Sequence, residues 1–484
     1  MARRSRSTSD DPCVWDLVAA IGDGRVRADA TARFLATTDA SIFRGGVSGP
    51  ICYPDSVADV QACVRIAAAH GRPVVARGSG TGLTGGAVPL DSPVVICTTR
   101  MNRVLEVDLE NSVAWVEPGV INLDLSHHLL RYGLHFAPDP SSQQVCTIGG
   151  NVANNSGGPH CLAYGVTSAH IVAVEVVLSN GEVVMLGGLE AESAGYDLRG
   201  AFVGSEGMFG VATRVAVKLT RNPPSVRTLL LSFQDVESAA ATVGAIIAAG
   251  LVPAAVEMMD KRCVEAVEDF VHAGYPRDAE AVLLVEVDGM AGGVEAQASM
   301  VEEIAISQHG SVRVAADEEE RQLLWKGRKS AFGAIARIKP DYYLHDTVVP
   351  RSKLVEVLRA IYSIIDERDL IVLNVFHAGD GNLHPIIVYD SREPGMSEKV
   401  REAGHEIIEV SLRAGGVLSG EHGIGVEKRD FMPMMFSEHD LDQQARLRGA
   451  FDGLCMMNPG KVLPSPHSCS DIAKLSEAKG ELWG

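Results

Sequence analysis

The run Val375-Phe376-His377-Ala378-Gly379-Asp380-Gly381-Asn382-Leu383-His384 constrains this chain more than any other stretch. Residues 372–376 and 383–389 on either side are apolar and β-branched and read as strands. The Gly-Asp-Gly-Asn between them is turn chemistry, because glycine and asparagine tolerate the positive φ of a tight reversal. A hairpin here returns His377 and His384 to one end of a strand pair. Two neutral imidazoles at one place supply the nitrogen ligands of a 2-His-1-carboxylate metal site, which then needs one anion. Gly420-Glu421-His422-Gly423-Ile424-Gly425 offers that carboxylate in Glu421 and a further imidazole in His422. Two unrelated hydrogen-bonded histidines are the plainer alternative. The glycine-framed turn and the second Glu-His motif favour a site.

A second constraint is Arg77-Gly78-Ser79-Gly80-Thr81-Gly82-Leu83-Thr84-Gly85-Gly86, directly after the strand-like residues 73–76. So many glycines leave the backbone bare, and successive N–H groups can close around a pyrophosphate. No Gly-Lys-Ser/Thr follows, so it is not a Walker loop. A GxGxxG match lies within it, but Ala87-Val88-Pro89 follows instead of a helix, which argues against a Rossmann turn. Alone, such a loop is equally compatible with a surface turn.

Further motifs stand in order along the chain: Pro138-Asp139-Pro140-Ser141, the run 147–158 (Thr-Ile-Gly-Gly-Asn-Val-Ala-Asn-Asn-Ser-Gly-Gly), and the run 204–210 (Gly-Ser-Glu-Gly-Met-Phe-Gly). Trp325-Lys326-Gly327-Arg328-Lys329 and Asn458-Pro459-Gly460-Lys461 complete the set. With the glycine loop and the two histidine motifs, they resemble the FAD-linked oxidases with the PCMH-type flavin fold, in the vanillyl-alcohol-oxidase-like superfamily. Within that family the likeness is to glycolate oxidase FAD subunits and D-lactate dehydrogenases, with D-2-hydroxyglutarate dehydrogenases as relatives.

The resemblance implies an α+β chain. It has a PCMH-type FAD-binding domain of two subdomains over 48–222, and an α/β cap (substrate) domain, a sheet covered by helices, over 223–430. An N-terminal tail and helical segment (1–47) precede them. A C-terminal segment (431–464) returns to the FAD domain, and 465–484 form a tail. Pro223-Pro224 marks the boundary between the two large parts.

Length and composition agree. A chain of 484 residues exceeds one ordinary core, and its 46% hydrophobic content is ample for two. A formal net charge of −19 argues against a nucleic-acid partner and against anionic lipid. Nine cysteines without a CxxC pair suggest neither a disulfide framework nor an iron–sulfur cluster, and free thiols fit a cytoplasmic protein. Electrons would leave through an external acceptor or a companion electron-transfer subunit. Residues 1–10 are basic and serine-rich with no apolar core behind them, so they are not a secretory signal. The uncharged run 238–256 is built largely of alanine and glycine and broken by Pro253; it reads as a helix buried on a sheet, not a transmembrane segment. The expected protein is cytoplasmic and docks on a membrane only through partners.

Local patterns place the remaining elements. Residues 13–36 read as a helical preface and 122–130 as a helix stopped by Gly133, with His127 and His128 on its surface. Residues 172–178 and 182–185 flank Asn180-Gly181, a hairpin signal. Beyond Pro224 the expected order is strand 228–233, helix 236–250, strand 281–288, helix 291–309, strand 311–315, strand 344–349, helix 351–368 and the histidine hairpin. Asp317 to Glu320 read as a solvated acidic turn.

Roles follow from the resemblance, residue by residue. His377, His384 and Glu421 match positions that bind a divalent metal (zinc, iron or manganese) in members that have one. His422 matches the general base and Arg328 the arginine that binds a substrate carboxylate. FAD contacts are implied for Arg77, Gly78, Ser79, Gly80, Thr81 and Gly82, for Pro138, Asp139 and Ser141, and for Gly149, Gly150, Asn154, Ser156 and Gly157. Gly204, Glu206, Gly207 and Asn458 complete them. Covalently flavinylated cousins have histidine where Thr81 stands, so noncovalent FAD is expected. Hydroxyglutarate enzymes carry a lysine and an asparagine where Leu344 and Ile386 stand, which shifts the expected substrate toward glycolate or D-lactate. A D-2-hydroxyglutarate-type dehydrogenase, a flavin-binding accessory subunit without its own alcohol site, and a metal-dependent hydrolase are the alternatives.

Overall fold

The computed structural model describes residues 10–189 and 194–467. The basic stretch 1–9 and the tail from 468 lie outside them. The chain forms two compact units: residues 1–156, 166–221 and 421–484 make the first, and 157–165 with 222–420 the second. The chain thus re-enters the first unit at Glu421, ten residues before the expected 431, and lends the short piece 157–165 to the second.

The described residues of the first unit hold two main sheets, besides a two-stranded pair of Leu134–His135 with Thr220–Arg221. In the smaller, Ile51–Cys52, Val94–Cys97 and Val74–Arg77 run parallel in that order, with Val26–Arg27 antiparallel on the edge. Helices Pro12–Ile21 and Val57–Ala69 pack on it through Cys13, Val14, Leu17 and Ile21 against Val60, Cys63, Val64 and Ala67. The larger sheet is antiparallel, ordered Val104–Asp108, Val113–Val116, Val211–Lys218, Ile171–Val177, Val183–Gly187. Its hairpin turns at Asn180-Gly181 as expected, with Leu178 N donating to Glu182 O at 2.9 Å and Gly181 at φ +78°. Helix Asn122–Leu129 ends through a 3-10 turn at Gly133 (φ +66°), with His127 exposed.

The second unit is built on one antiparallel sheet with strand order Ser311–Val314, Ser225–Phe233, Ala281–Gly289, Ala255–Asp260, Ile371–His377, Asn382–Leu383, Thr347–Val348. Pro385–Tyr389 pairs with Ile371–His377, and Asp341–Leu344 adds to its far side. Alternate residues (Leu229, Leu231, Val256, Met258, Leu283, Val285, Val372, Phe376) meet helices Val236–Ala248, Ala291–Ser307, Leu354–Asp366 and Met396–Arg413 in one core. Strand periodicity turns their neighbours Glu257, Glu286 and His377 to the opposite face.

Three expectations need correction. The strand 344–349 is broken at Asp346, whose carboxylate accepts from Gly420 N at 3.0 Å, between Asp341–Leu344 and Thr347–Val348. Asp317 to Glu320 are not a turn but the start of helix Glu318–Lys329. Asp317 caps it by accepting from Glu320 N at 2.9 Å, and the acids at its start with the bases at its end complement the helix dipole. Finally, among the described residues seven cysteines are free thiols, but Cys455 is disulfide-bonded, since sequence spacing does not report which thiols fold together. Strand Ala255–Asp260 and helix Lys261–Phe270, absent from the sequence reading, complete the second unit.

Candidate active site

In the first unit the glycine loop leaves the parallel strand Val74–Arg77 and makes no helix, as its sequence suggested. A Cβ on Gly78 would stand 2.3 Å from Thr147 Oγ1, and one on Gly149 would stand 2.6 Å from Pro118 Cβ. Only bare backbone fits where the loop meets helix Ile148–Asn154, which Thr147 caps by accepting from Gly150 N at 3.2 Å. Gly80 adopts φ +75° against the Arg77 guanidinium. That guanidinium is a brace: it donates to Thr38 O at 2.9 Å and to Ala87 O at 3.4 Å. Ala40 N also reaches Gly82 O at 3.0 Å, so the stretch just after the expected helical preface supports the loop directly.

The other expected flavin residues gather around the same framework. Asn122 Nδ2 donates to Pro138 O at 2.9 Å and Asn151 Oδ1 at 3.0 Å, joining the 138–141 loop to helix Ile148–Asn154. Ser141 lies exposed and Asp139 half-buried. Glu206, buried at φ +50°, accepts from Ile424 N at 2.7 Å and Gly425 N at 2.8 Å. Burial pushes its carboxyl up, opposed by those amides and by the charges of Lys461 and Lys428. Asn458 donates to Gly86 O at 2.9 Å and Glu206 O at 2.7 Å. Beside it Lys461, whose motif the sequence reading named without giving it a role, donates to Gly86 O, Val88 O and Asn458 Oδ1 at 3.0, 2.7 and 2.6 Å. Gly157 instead begins the piece contributed to the second unit.

In the second unit the hairpin forms as its sequence dictates. His377 ends its strand opposite Asn382, and Gly381 turns at φ +81°. His377 and His384 are buried with ring centroids 5.1 Å apart, edge to face, and each offers a ligand nitrogen within 4.8 Å of the other. Behind His377 lies Glu257, fully buried, whose carboxylate meets Nδ1 at 2.8 and 3.0 Å. Arg328, from helix Glu318–Lys329, sets its Nη2 2.5 Å from the same carboxylate, while its buried Nε has no hydrogen-bond partner. Burial would raise the Glu257 carboxyl, but the Arg328 and His377 charges win and hold it below the usual range. Asp346 lies 3.9 Å from His384 Nδ1 and accepts from Ser419 Oγ at 2.5 Å and Gly420 N at 3.0 Å.

Glu421 and His422 open the returning segment of the first unit, with His422 Nε2 4.0 Å from Glu421 Oε1. The His422 carbonyl accepts from Asn154 Nδ2 at 2.9 Å and Thr84 Oγ1 at 3.3 Å, which pins its backbone. Leu344 and Ile386 are direct cross-strand partners, both buried. Sequence reasoning missed Glu257. Its one available signal was a single acid inside the apolar run 254–259.

A model for the FAD binding domain matches residues 50–187, and one for the C-terminal domain of FAD linked oxidases matches 222–462. Glycolate oxidase subunit GlcD of Escherichia coli (strain K12) is 46% identical over 411 residues, 85% of this chain and 82% of that one. The chain belongs to the FAD-linked oxidases. GlcD of Bacillus subtilis (strain 168) is 40% identical over 438 residues, covering 90% and 91% of the two chains. D-lactate dehydrogenase of Anaerostipes hadrus is 34% identical over 421 residues, covering 84% and 88%. Among solved structures, p-cresol methylhydroxylase with substrate bound superposes with TM-score 0.79 at 16% identity, covering 93% of this chain and 96% of that one. The 4-ethylphenol oxidase from Gulosibacter chungangensis gives 0.76 at 20% identity, covering 94% and 97%. These likenesses carry the α+β, PCMH-type fold. As an FAD-linked oxidase, the chain is an FAD-dependent hydroxy-acid oxidoreductase. Among the described residues no helix is long and apolar enough to cross a membrane.

Proposed function

We propose that this chain oxidises a short 2-hydroxy acid, glycolate or D-lactate, to the 2-oxo acid, with His422 as general base and His377, His384 and Glu421 holding a divalent metal. The observation that carries the reading is the buried His377–His384 pair backed by Glu257 and Arg328. The names borne by the similar proteins point the same way. Two converging imidazoles fit zinc, iron or manganese. Covalent continuity supports Glu421 as the anion, since it follows Gly420, whose amide Asp346 holds beside His384. Gly78 and Gly149, where a Cβ would meet Thr147 or Pro118, let the loop and helix Ile148–Asn154 pack as bare backbone, which fits a closely approaching FAD, held noncovalently because Thr81 offers no imidazole for attachment.

When bound, FAD supplies a hydride acceptor at N5. When bound, the metal supplies positive charge toward the substrate's hydroxyl and carboxylate oxygens. The protein's own groups do the rest. His422 takes the hydroxyl proton, its position fixed by the bonds from Asn154 and Thr84 to its carbonyl. Arg328 offers its unused Nε–H to the substrate carboxylate. Leu344 beside Ile386 provides no polar partner for a distal carboxylate, which favours a short acid over D-2-hydroxyglutarate. Electrons pass to an external acceptor or a companion electron-transfer subunit, and the chain works in the cytoplasm, meeting a membrane only through such partners.

Anaerobic flavin bleaching with glycolate, D- and L-lactate, D-malate and D-2-hydroxyglutarate, before and after chelation, tests this. Rapid bleaching by one short acid, lost on chelation and slowed roughly 10²- to 10⁴-fold by His422→Asn, is expected. A flavin that every acid leaves oxidised would favour the accessory-subunit reading instead.

A further inference from the structure

We propose that Glu257 is a positioning residue: it orients His377 so that Nε2 becomes the ligand nitrogen, and ties that imidazole to the carboxylate-binding Arg328. The inference rests on the metal reading above and extends it to a residue outside the ligand set.

The placement begins with register. Glu257 and His377 are directly opposed on antiparallel strands Ala255–Asp260 and Ile371–His377, so their side chains rise from one face of the sheet. An imidazole has two nitrogens on opposite edges, and a bond at one fixes the role of the other. Both Glu257 oxygens lie within 3.0 Å of Nδ1, which selects the Nδ1–H form and turns Nε2 away from the carboxylate. Glu257 Oε2 also meets Arg328 Nη2 at 2.5 Å, so one carboxylate sets the angle of both groups.

Stability alone does not account for a fully buried acid here. Desolvating such a pair costs several kcal/mol, and an apolar replacement of similar shape is often neutral or stabilising. Glu286 on the same sheet face shows what an internal fastener looks like. Its oxygens are taken by Arg321 at 2.9 and 3.0 Å, Trp325 Nε1 and Thr228 Oγ1 at 2.6 Å each, and His160 at 3.3 Å. Those bonds tie residues 157–165 into the unit. Glu257 instead spends its bonds on the two side chains assigned to metal and substrate.

The test measures metal affinity by competition with a chromophoric chelator, using Zn²⁺ or Mn²⁺, on the flavin-loaded protein. Glu257→Gln should weaken binding roughly 10- to 100-fold. In a His377→Ala background the same change should add nothing, because Glu257 acts through that ring. Unchanged affinity, or an equal loss in both backgrounds, overturns the proposal. Side-chain ¹⁵N spectra of histidine in metal-free protein give an independent readout. His377 should be protonated at Nδ1 in the parent and a tautomer mixture in Glu257→Gln; identical spectra overturn the proposal. Should the parent bind no metal, the metal reading falls while the tautomer result still decides Glu257. Should Glu257→Gln not fold, Glu257→Asp keeps the charge beside Arg328, and its shorter reach should produce the same changes in smaller degree; none at all overturns the proposal.

Discussion

The glycine loop of the first unit and the histidine hairpin of the second do comparable work with opposite materials. The loop is a site made by omission: Gly78 and Gly149 matter because a Cβ would collide with Thr147 or Pro118. Its one large cation, Arg77, is turned inward onto the Thr38 and Ala87 carbonyls. The hairpin is a site made by charge, with buried Glu257 in contact with both buried His377 and buried Arg328. The first should therefore be sensitive to volume and indifferent to charge, and the second the reverse.

The largest test of that contrast is Arg328→Met. It keeps volume but strands the Glu257 charge in the interior, which should destabilise the second unit by about 3–5 kcal/mol. Urea unfolding followed by limited proteolysis of each unit would measure it, and a loss below about 1 kcal/mol would break the comparison. Next comes Gly78→Ala, one carbon without charge. Overpacking of about 1–3 kcal/mol should weaken flavin binding roughly 5- to 150-fold. Apoprotein titration with FAD reads this, and a stability equal to the parent's is expected of the second unit.

Third, joint replacement Leu344→Lys and Ile386→Asn gives the cross-strand pair polar ends. The kcat/KM ratio of D-2-hydroxyglutarate to glycolate should rise about tenfold or more. A fixed ratio would remove the pair from substrate choice.

The smallest effect is one of sign. His160 and Arg321 hold the Glu286 carboxyl well below the usual range despite its burial. Its contribution is present above the ordinary carboxylate pKa and fades as pH falls toward the depressed folded value. Burial raises Glu206, so its contribution is present at low pH and is lost as pH rises through the raised folded value. Between about pH 3.5 and 6.5, stability differences from the parent should drift in opposite directions with pH for Glu286→Gln and Glu206→Gln. Parallel drifts would refute the assignment.

The same contrast explains what could be read beforehand. The loop and the hairpin turn are written in contiguous residues whose chemistry is local, and both formed as their composition dictates. Leu344 and Ile386 stand far apart in the sequence, and only the register makes them partners. Glu257 was illegible because its partner His377 is 120 positions away and nothing in an apolar run announces one. Strand Ala255–Asp260 is hidden for a related reason: the uncharged run reads as a helix broken at Pro253, and nothing local marks the residues beyond that proline as a strand. Asp317 to Glu320 form a capped helix start, but in sequence such an acidic cluster looks the same as a solvated turn. Only the bases one helix length later separate the two.

The knot between the glycine loop and the C-terminal segment has a consequence in time. Asn458 reaches back to Gly86 across 372 positions, and Lys461 across 375. At roughly 5–20 residues per second on the ribosome, the loop waits about 20–75 s for those two side chains to be synthesised. Similarly, His160 precedes its acceptor Glu286 by 126 positions. Neither half of the molecule can close behind the ribosome in order of synthesis, so cofactor loading belongs to the last moments of translation or after it.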